Sequence, residues 1–194
     1  MIARNDISVF ILAGGKSSRM GQDKAELIWN GKIFIEHIID AMQSCGLQLH
    51  IVSSNLNIEK LAHDARIAVF KDRVYDKGPL GGIYTALCQS TSPYNFIVSC
   101  DMPCITADAI NYFIDNTNES VINIANANNR LQPLFAMYHK SLLSEIEAAI
   151  QINELAIYRL IEKHAYHCID MNEFPQELRN INTIEDYQLL IQNL

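Results

Sequence analysis

The chain has 194 residues, of which 49% are hydrophobic and 19% charged, and its formal net charge is −7. That length fits one ordinary domain able to bury most of its apolar surface, and the acidic balance argues against nucleic acid or a membrane surface as a partner, since both need a cationic face. No apolar run approaches the length of a bilayer span, and five cysteines without paired spacing are those expected of reduced thiols in a cytoplasmic protein.

The first apolar run, "ISVFIL" at 7–12, reads as a strand covered on both faces. It is too short, and too closely followed by cations, for a signal peptide. Next comes "LAGGKSSRMGQDKAEL" at 12–27. Gly14 and Gly15 let the backbone turn off the strand end and approach a ligand with no Cβ in the way. Their N–H groups can then face phosphate oxygens. Lys16, Arg19 and Lys24 add cations along a path about as long as a triphosphate, with arginine able to grip two oxygens at once. Two known phosphate patterns fail here. A Walker A loop ending at Lys16 needs glycine where Phe10 stands, and a dinucleotide fingerprint from Gly14 needs glycine where Lys16 stands.

A helix is predicted at 34–44, where Phe34, Ile35, Ile38, Ile39 and Met42 share one face. Strands follow at 49–53, 67–70 and 95–100, with helices at 58–65 and 80–89 between them. Asp72 and Asp101 each stand just past a strand, and the carboxyl ends of strands form the ligand crevice of a doubly wound sheet. Two carboxylates converging on a polyphosphate suit Mg²⁺, which takes few carboxylates plus phosphate oxygens and water. "DKGPLGGIYTAL" at 76–87 supplies a rigid turn at Gly78 and Pro79 and then a helix start at Leu80, whose N–H groups can meet phosphate or a base edge. Further strands are predicted at 121–125, 133–138 and 166–170, helices at 140–150, 154–164 and 183–192, and a turn at "NANNR", 126–130. The alternation predicts an α/β single-domain, Rossmann-like fold, its mostly parallel sheet covered by helices on both faces. The part up to about residue 105 is then expected to bind nucleotide, and the remainder an acceptor.

"LAGGKSSRMGQDKAEL", "GPLGGI", "SCDMP", "QPLFAMY" and "NINTIEDY" occur in this order, and together the chain closely resembles the molybdenum cofactor guanylyltransferases from Val9 to Tyr187. These are nucleotidyltransferases with a Rossmann-like sheet. "LAGG", "RMG" and "DK" mark the wider family, whereas "GPLGG" and "NINT" narrow the resemblance to the guanylyl branch. The resemblance implies transfer of GMP from GTP to molybdenum-bearing molybdopterin, with release of pyrophosphate. It implies that Leu12, Ala13 and Gly14 line the nucleotide pocket, that Gly15, Arg19 and Lys24 meet the phosphates, and that Asp72 and Asn55 meet guanosine beside Gly78, Pro79 and Leu80. Asp101 would hold Mg²⁺, with Mn²⁺ as a substitute, and Arg19, Lys24 and Asp101 would carry catalysis. Asn180 and Asn182 would hold the pterin. Ser53 stands where the family usually has an asparagine. Implied partners are GTP, molybdenum-molybdopterin and, transiently, molybdoenzymes or cofactor-handling proteins. A cytidylyl or sugar-1-phosphate nucleotidyltransferase and a non-catalytic GTP-binding relative are the alternatives.

Overall fold

The computed structural model describes residues 2–14, 24–64 and 67–192. In chain order come β1 (Ile7–Leu12), β2 (Ile28–Trp29), β3 (Lys32–Ile33), α1 (Phe34–Ser44), β4 (Gln48–Val52), α2 (Leu56–Asp64), β5 (Ala68–Phe70), α3 (Gly78–Gln89) and β6 (Tyr94–Ser99). Then follow α4 (Ala107–Asp115), β7 (Ile122–Ala127), β8 (Arg130–His139), α5 (Leu143–Gln151), α6 (Ile157–Glu162), β9 (His167–Asp170) and α7 (Ile184–Gln192).

A seven-stranded sheet runs in the order β5-β4-β1-β6-β8-β7-β9. β1 pairs in parallel with β4 and β6, β4 with β5, and β7 with β9. β8 alone runs against its neighbours, pairing antiparallel with β6 and β7. From β1 the chain therefore winds outward through β4 to β5, then crosses back to β6 on the other side of β1. That reversal opens a crevice at the carboxyl ends of β1 and β6.

β1 is buried along its whole length, as its unbroken apolar run requires. Val9 and Ile11 pack on one side with residues of α1 and α4, and Phe10 and Leu12 on the other with α3 and α5. Helices thus cover both faces, and the α/β, mostly parallel expectation holds. The apolar face of α1 is the one the sequence pattern marks, and Glu36 caps the helix by accepting from Ile33 N–H at 2.8 Å.

Three differences from the sequence expectation have local causes. No element is predicted between 100 and 121, yet α4 lies there, with Thr106 Oγ1 accepting from Ala109 N–H and Ala109, Ile110, Phe113 and Ile114 facing the core. The helix predicted at 154–164 is only Ile157–Glu162, because Asn153 (φ 57°) ends α5 in the left-handed region and Glu154 N–H closes back on Ala149 O. The pair β2–β3 is also unpredicted. Asn30 (φ 47°) and Gly31 (φ 78°) form its two-residue turn, the residues that a type I′ hairpin demands. The expected turn in "NANNR" is of the same kind, with Asn128 and Asn129 at φ 53° and 59° between the paired Ala127 and Arg130.

After β9 the chain returns to the front of the sheet. Ile181 N–H donates to Asp101 O at 2.8 Å, and Ile181 and Leu190 bury against Leu27 and Phe34. Tyr187 Oη donates to Ile28 O at 2.6 Å, tying α7 to the β2–β3 hairpin.

Candidate active site

A crevice of about 780 Å³ opens at the carboxyl ends of β1, β4 and β6. Leu12 and Gly14 enter it from β1, Val52 from β4, Ser99 and Asp101 from the end of β6, and Leu134 from β8. The segment from Asp72 to Pro79 forms another wall, and Lys24, at the start of a single 3-10 turn (Lys24–Glu26) ahead of β2, lines the crevice as well.

Gly14 lies beside the Asp72 carboxylate, so that a Cβ built there would sit 3.4 Å from Asp72 Oδ2. Behind it, Ser53 is buried and donates to Ala13 O at 2.6 Å, so its hydroxyl braces the β1 end. Gly82 lets α3 approach: a Cβ would meet Leu12 Cδ1 at 3.0 Å, tighter than most side-chain contacts. Gly78 (φ 57°) and Pro79 begin α3 at the crevice wall, leaving first-turn N–H groups there without intrahelical partners. The loop ahead of the helix is fixed by Thr85, which accepts from Arg73 N–H at 3.0 Å.

Two carboxylates face this space. Asp72 Oδ1 is buried with no hydrogen-bond partner among the described residues, and burial pushes the carboxyl above its usual range against a Thr85 hydrogen bond. Asp101 Oδ1 is likewise buried and unpartnered. Burial raises Asp101 as well, opposed by a Ser99 hydrogen bond and the Lys24 charge. Its other oxygen, Oδ2, lies 3.8 Å from Lys24 Nζ, which donates to Asn182 Oδ1 at 2.6 Å.

Among the described residues no three histidine, cysteine or acidic side chains group as a metal cage. What the crevice offers is two half-satisfied carboxylates. The Asp101 carboxylate fits a hard divalent cation whose shell is completed by phosphate oxygens and water, and the Asp72 oxygen fits a hydrogen-bond donor of a ligand.

Of the sequence-predicted site, Leu12, Gly14, Lys24, Asp72, Gly78, Pro79 and Asp101 line the one crevice. Ala13 and Leu80 are buried behind it. Asn55 is not among the residues lining it; its Nδ2 donates to Glu26 Oε1 at 3.1 Å and its Oδ1 accepts from Asn57 N–H at the start of α2. Asn180 Nδ2 donates to Gln132 Oε1 at 3.3 Å. Gly15 and Arg19 lie outside the described residues. Tyr75, Lys77 and Leu134 also line the crevice, with no sequence reading that marks them. Tyr75 is 77% exposed, and an exposed tyrosine after a strand carries no sequence signal of its own.

A model of the MobA-like NTP transferase domain matches residues 9–168. A Flavobacterium johnsoniae protein named "Probable molybdenum cofactor guanylyltransferase" is 35% identical over 190 residues, covering 97% of this chain and 98% of that one. Among solved structures, molybdopterin-guanine dinucleotide biosynthesis protein A of Archaeoglobus fulgidus is similar with a TM-score of 0.80 and 22% identity, covering 96% of this chain and 97% of that one. A Mycobacterium tuberculosis protein solved in complex with manganese is similar with a TM-score of 0.70 and 14% identity, covering 97% of this chain and 99% of that one. At those identities the two solved structures show a shared fold.

Proposed function

The chain belongs to the MobA-like NTP transferase family, and on that premise we propose that it transfers GMP from GTP to molybdenum-bearing molybdopterin, releasing pyrophosphate. The observation that carries this reading is the convergence of Gly14, Lys24, Asp72 and Asp101 on one crevice at the strand ends. The name of the Flavobacterium relative supports the guanylyl branch and the molybdopterin acceptor.

The acceptor's terminal phosphate is an anion at neutral pH and attacks the α-phosphorus directly. One P–O bond forms to the acceptor, and the bond to the β-phosphate oxygen breaks with its electron pair leaving on pyrophosphate. No serine, cysteine or histidine nucleophile is needed. The chain's work is alignment and charge neutralisation. Lys24 meets the phosphates and takes up charge on the departing pyrophosphate, together with Gly15 and Arg19 of the loop. Asp72 accepts from the guanosine, and the first turn of α3 at Gly78, Pro79 and Leu80 presents its backbone to the same nucleotide. Asp101 would hold the divalent cation, Mg²⁺ or Mn²⁺, which when bound neutralises phosphate charge as a Lewis acid. The manganese complex of the Mycobacterium neighbour is in keeping with such a cation. Nucleotide is thus bound mainly by the part up to about residue 105, and the acceptor by the remainder, with Asn180 and Asn182 at the border.

Pyrophosphate release decides the reading. The purified protein with Mg²⁺ is expected to release pyrophosphate from GTP only when molybdenum-molybdopterin is supplied. Release with a sugar 1-phosphate instead, or no release with any acceptor, sinks it.

A further inference from the structure

Lysine is a point charge on a flexible four-carbon stem, so its ammonium serves a reaction only when something fixes it. In this protein the fixing group comes from the far end of the chain: Asn182 Oδ1 accepts from Lys24 Nζ at 2.6 Å, beside Asp101 Oδ2 at 3.8 Å. The backbone around Asn182 is itself held on both sides. Ile181 N–H donates to Asp101 O at 2.8 Å, and Asn182 N–H donates to Asp186 Oδ2 at 3.0 Å. The same Asp186 oxygen accepts from Thr183 N–H and Thr183 Oγ1, while Asp186 N–H donates back to Thr183 Oγ1. A reciprocal cap at the start of α7 needs only the Thr183 half of this arrangement. The bond to Asn182 N–H is additional, and it joins the cap to the residue that holds Lys24.

We infer that Asn182 and Asp186 are positioning residues of the nucleotide site. Asp186 fixes the Asn182 backbone, and Asn182 sets the Lys24 ammonium against Asp101 where a triphosphate would lie. Asn182 therefore serves the nucleotide more than the acceptor. The inference rests on the proposed function for the identity of the ligand, but not for the geometry.

Calorimetric titration with GTP and Mg²⁺ tests it on the full chain. Asn182→Ala and Asp186→Ala should each weaken binding roughly three- to tenfold, in the lower part of the range of coupling between contacting residues. Asp186→Asn retains a carbonyl acceptor for the Asn182 amide and should recover most of the loss. In a Lys24→Ala background, Asn182→Ala should add nothing further, whereas a merely structural tail would add its own loss on top. Additive losses overturn the inference, as does an Asn182→Ala protein that binds GTP normally and loses only acceptor affinity. Pyrophosphate with Mg²⁺ is the second probe, because it carries no base. Should GTP fail to bind the parent protein, the substrate assignment falls, and the same non-additivity with pyrophosphate still decides the role of Asn182. Failure of the parent to bind either probe overturns both readings.

Discussion

Asp72 and Asp101 each bury a carboxylate oxygen that meets no donor among the described residues. Leaving such a group unpaired costs about 1–3 kcal/mol, more when it is charged, and that cost is offset only when a ligand supplies the missing partner. In the proposed reaction the partner of Asp101 is a cation. Asp101→Asn keeps the side-chain volume but offers no anionic oxygen, so kcat should fall by roughly two orders of magnitude or more, the scale of one lost electrostatic stabiliser. Steady-state rates at saturating Mg²⁺ check this, and a rate within a few-fold of the parent removes Asp101 from the cation site. For Asp72 the consequence is a pH dependence. Burial raises its folded-state carboxyl above the ordinary 3.8, so the folded chain holds the proton where the unfolded chain has lost it. The stability this group contributes is full below the unfolded value and is lost as pH rises through the folded one. Asp72→Asn abolishes that loss. The ligand-free variant should melt higher than the parent at pH 7, the gain should vanish near pH 4, and its GTP affinity should fall. Melting curves at the two pH values test the sign, and a variant less stable at neutral pH contradicts it.

At the scale of elements, a turn can set the register of two strands. β7 and β8 form the antiparallel part of the sheet. Opposite the consecutive Ile124 and Ala125, which pair with Ala136 and Gln132, residues 133–135 of β8 bulge out of register, and Leu134 among them lines the crevice. Their two-residue turn keeps Asn128 and Asn129 left-handed, a conformation costing most L-residues about 1–2 kcal/mol. Asn129→Gly should leave stability unchanged or slightly raised, whereas Asn129→Val should cost about 1–2 kcal/mol. Urea unfolding of the pair measures this, and equal midpoints would mean that the turn relaxes. Much of the element order is legible from local pattern. The unbroken apolar run of β1 and the one-sided face of α1 each state their type within a dozen residues. The Thr106 cap and the spacing of Ala109, Ile110, Phe113 and Ile114 are an equally local signal for α4 that periodicity could have found. The "WNGK" hairpin is harder, because its strands have two residues each and no room for alternation. The site divides in the same way. Gly14, Asp72 and Asp101 stand just past strand ends and Lys24 is a cation of the glycine-rich stretch after β1, so all four are visible locally, whereas the Lys24 to Asn182 bond joins residues 158 positions apart and leaves no local trace.

For the whole molecule, the sheet order decides which groups can read a base. β5 lies two strands from β1, and the segment after it carries Asp72 into the crevice beside Gly14 before α3 folds back over Leu12. A carboxylate, a helix-start backbone and apolar walls from Leu12, Val52 and Pro79 thus meet from β1, β4, α3 and the segment after β5. Guanine presents N1–H and N2–H donors beside the O6 acceptor. The unpartnered Asp72 oxygen can take the donors, and the start of α3, where the helix geometry leaves first-turn N–H groups without intrahelical acceptors, can offer one to O6. Cytosine offers one amino donor in a smaller outline. It would leave part of this polar edge unpaired, and a site built for hydrogen bonds rejects a ligand that cannot make them. Ser53, where an asparagine is usual in the resemblance, does not alter this expectation, because its hydroxyl is engaged with Ala13 O behind the crevice. GTP should therefore exceed CTP in kcat/KM by at least roughly 30-fold, or about 2 kcal/mol. Asp72→Asn should narrow the ratio, because it replaces one of the two acceptor oxygens facing guanine's N1–H and N2–H with an amide donor and removes the negative charge. Side-by-side kinetics with molybdenum-molybdopterin measure both ratios. Equal use of the two nucleotides by the parent protein would place it in the cytidylyl branch, and an unchanged ratio in Asp72→Asn would move base recognition to another wall of the crevice.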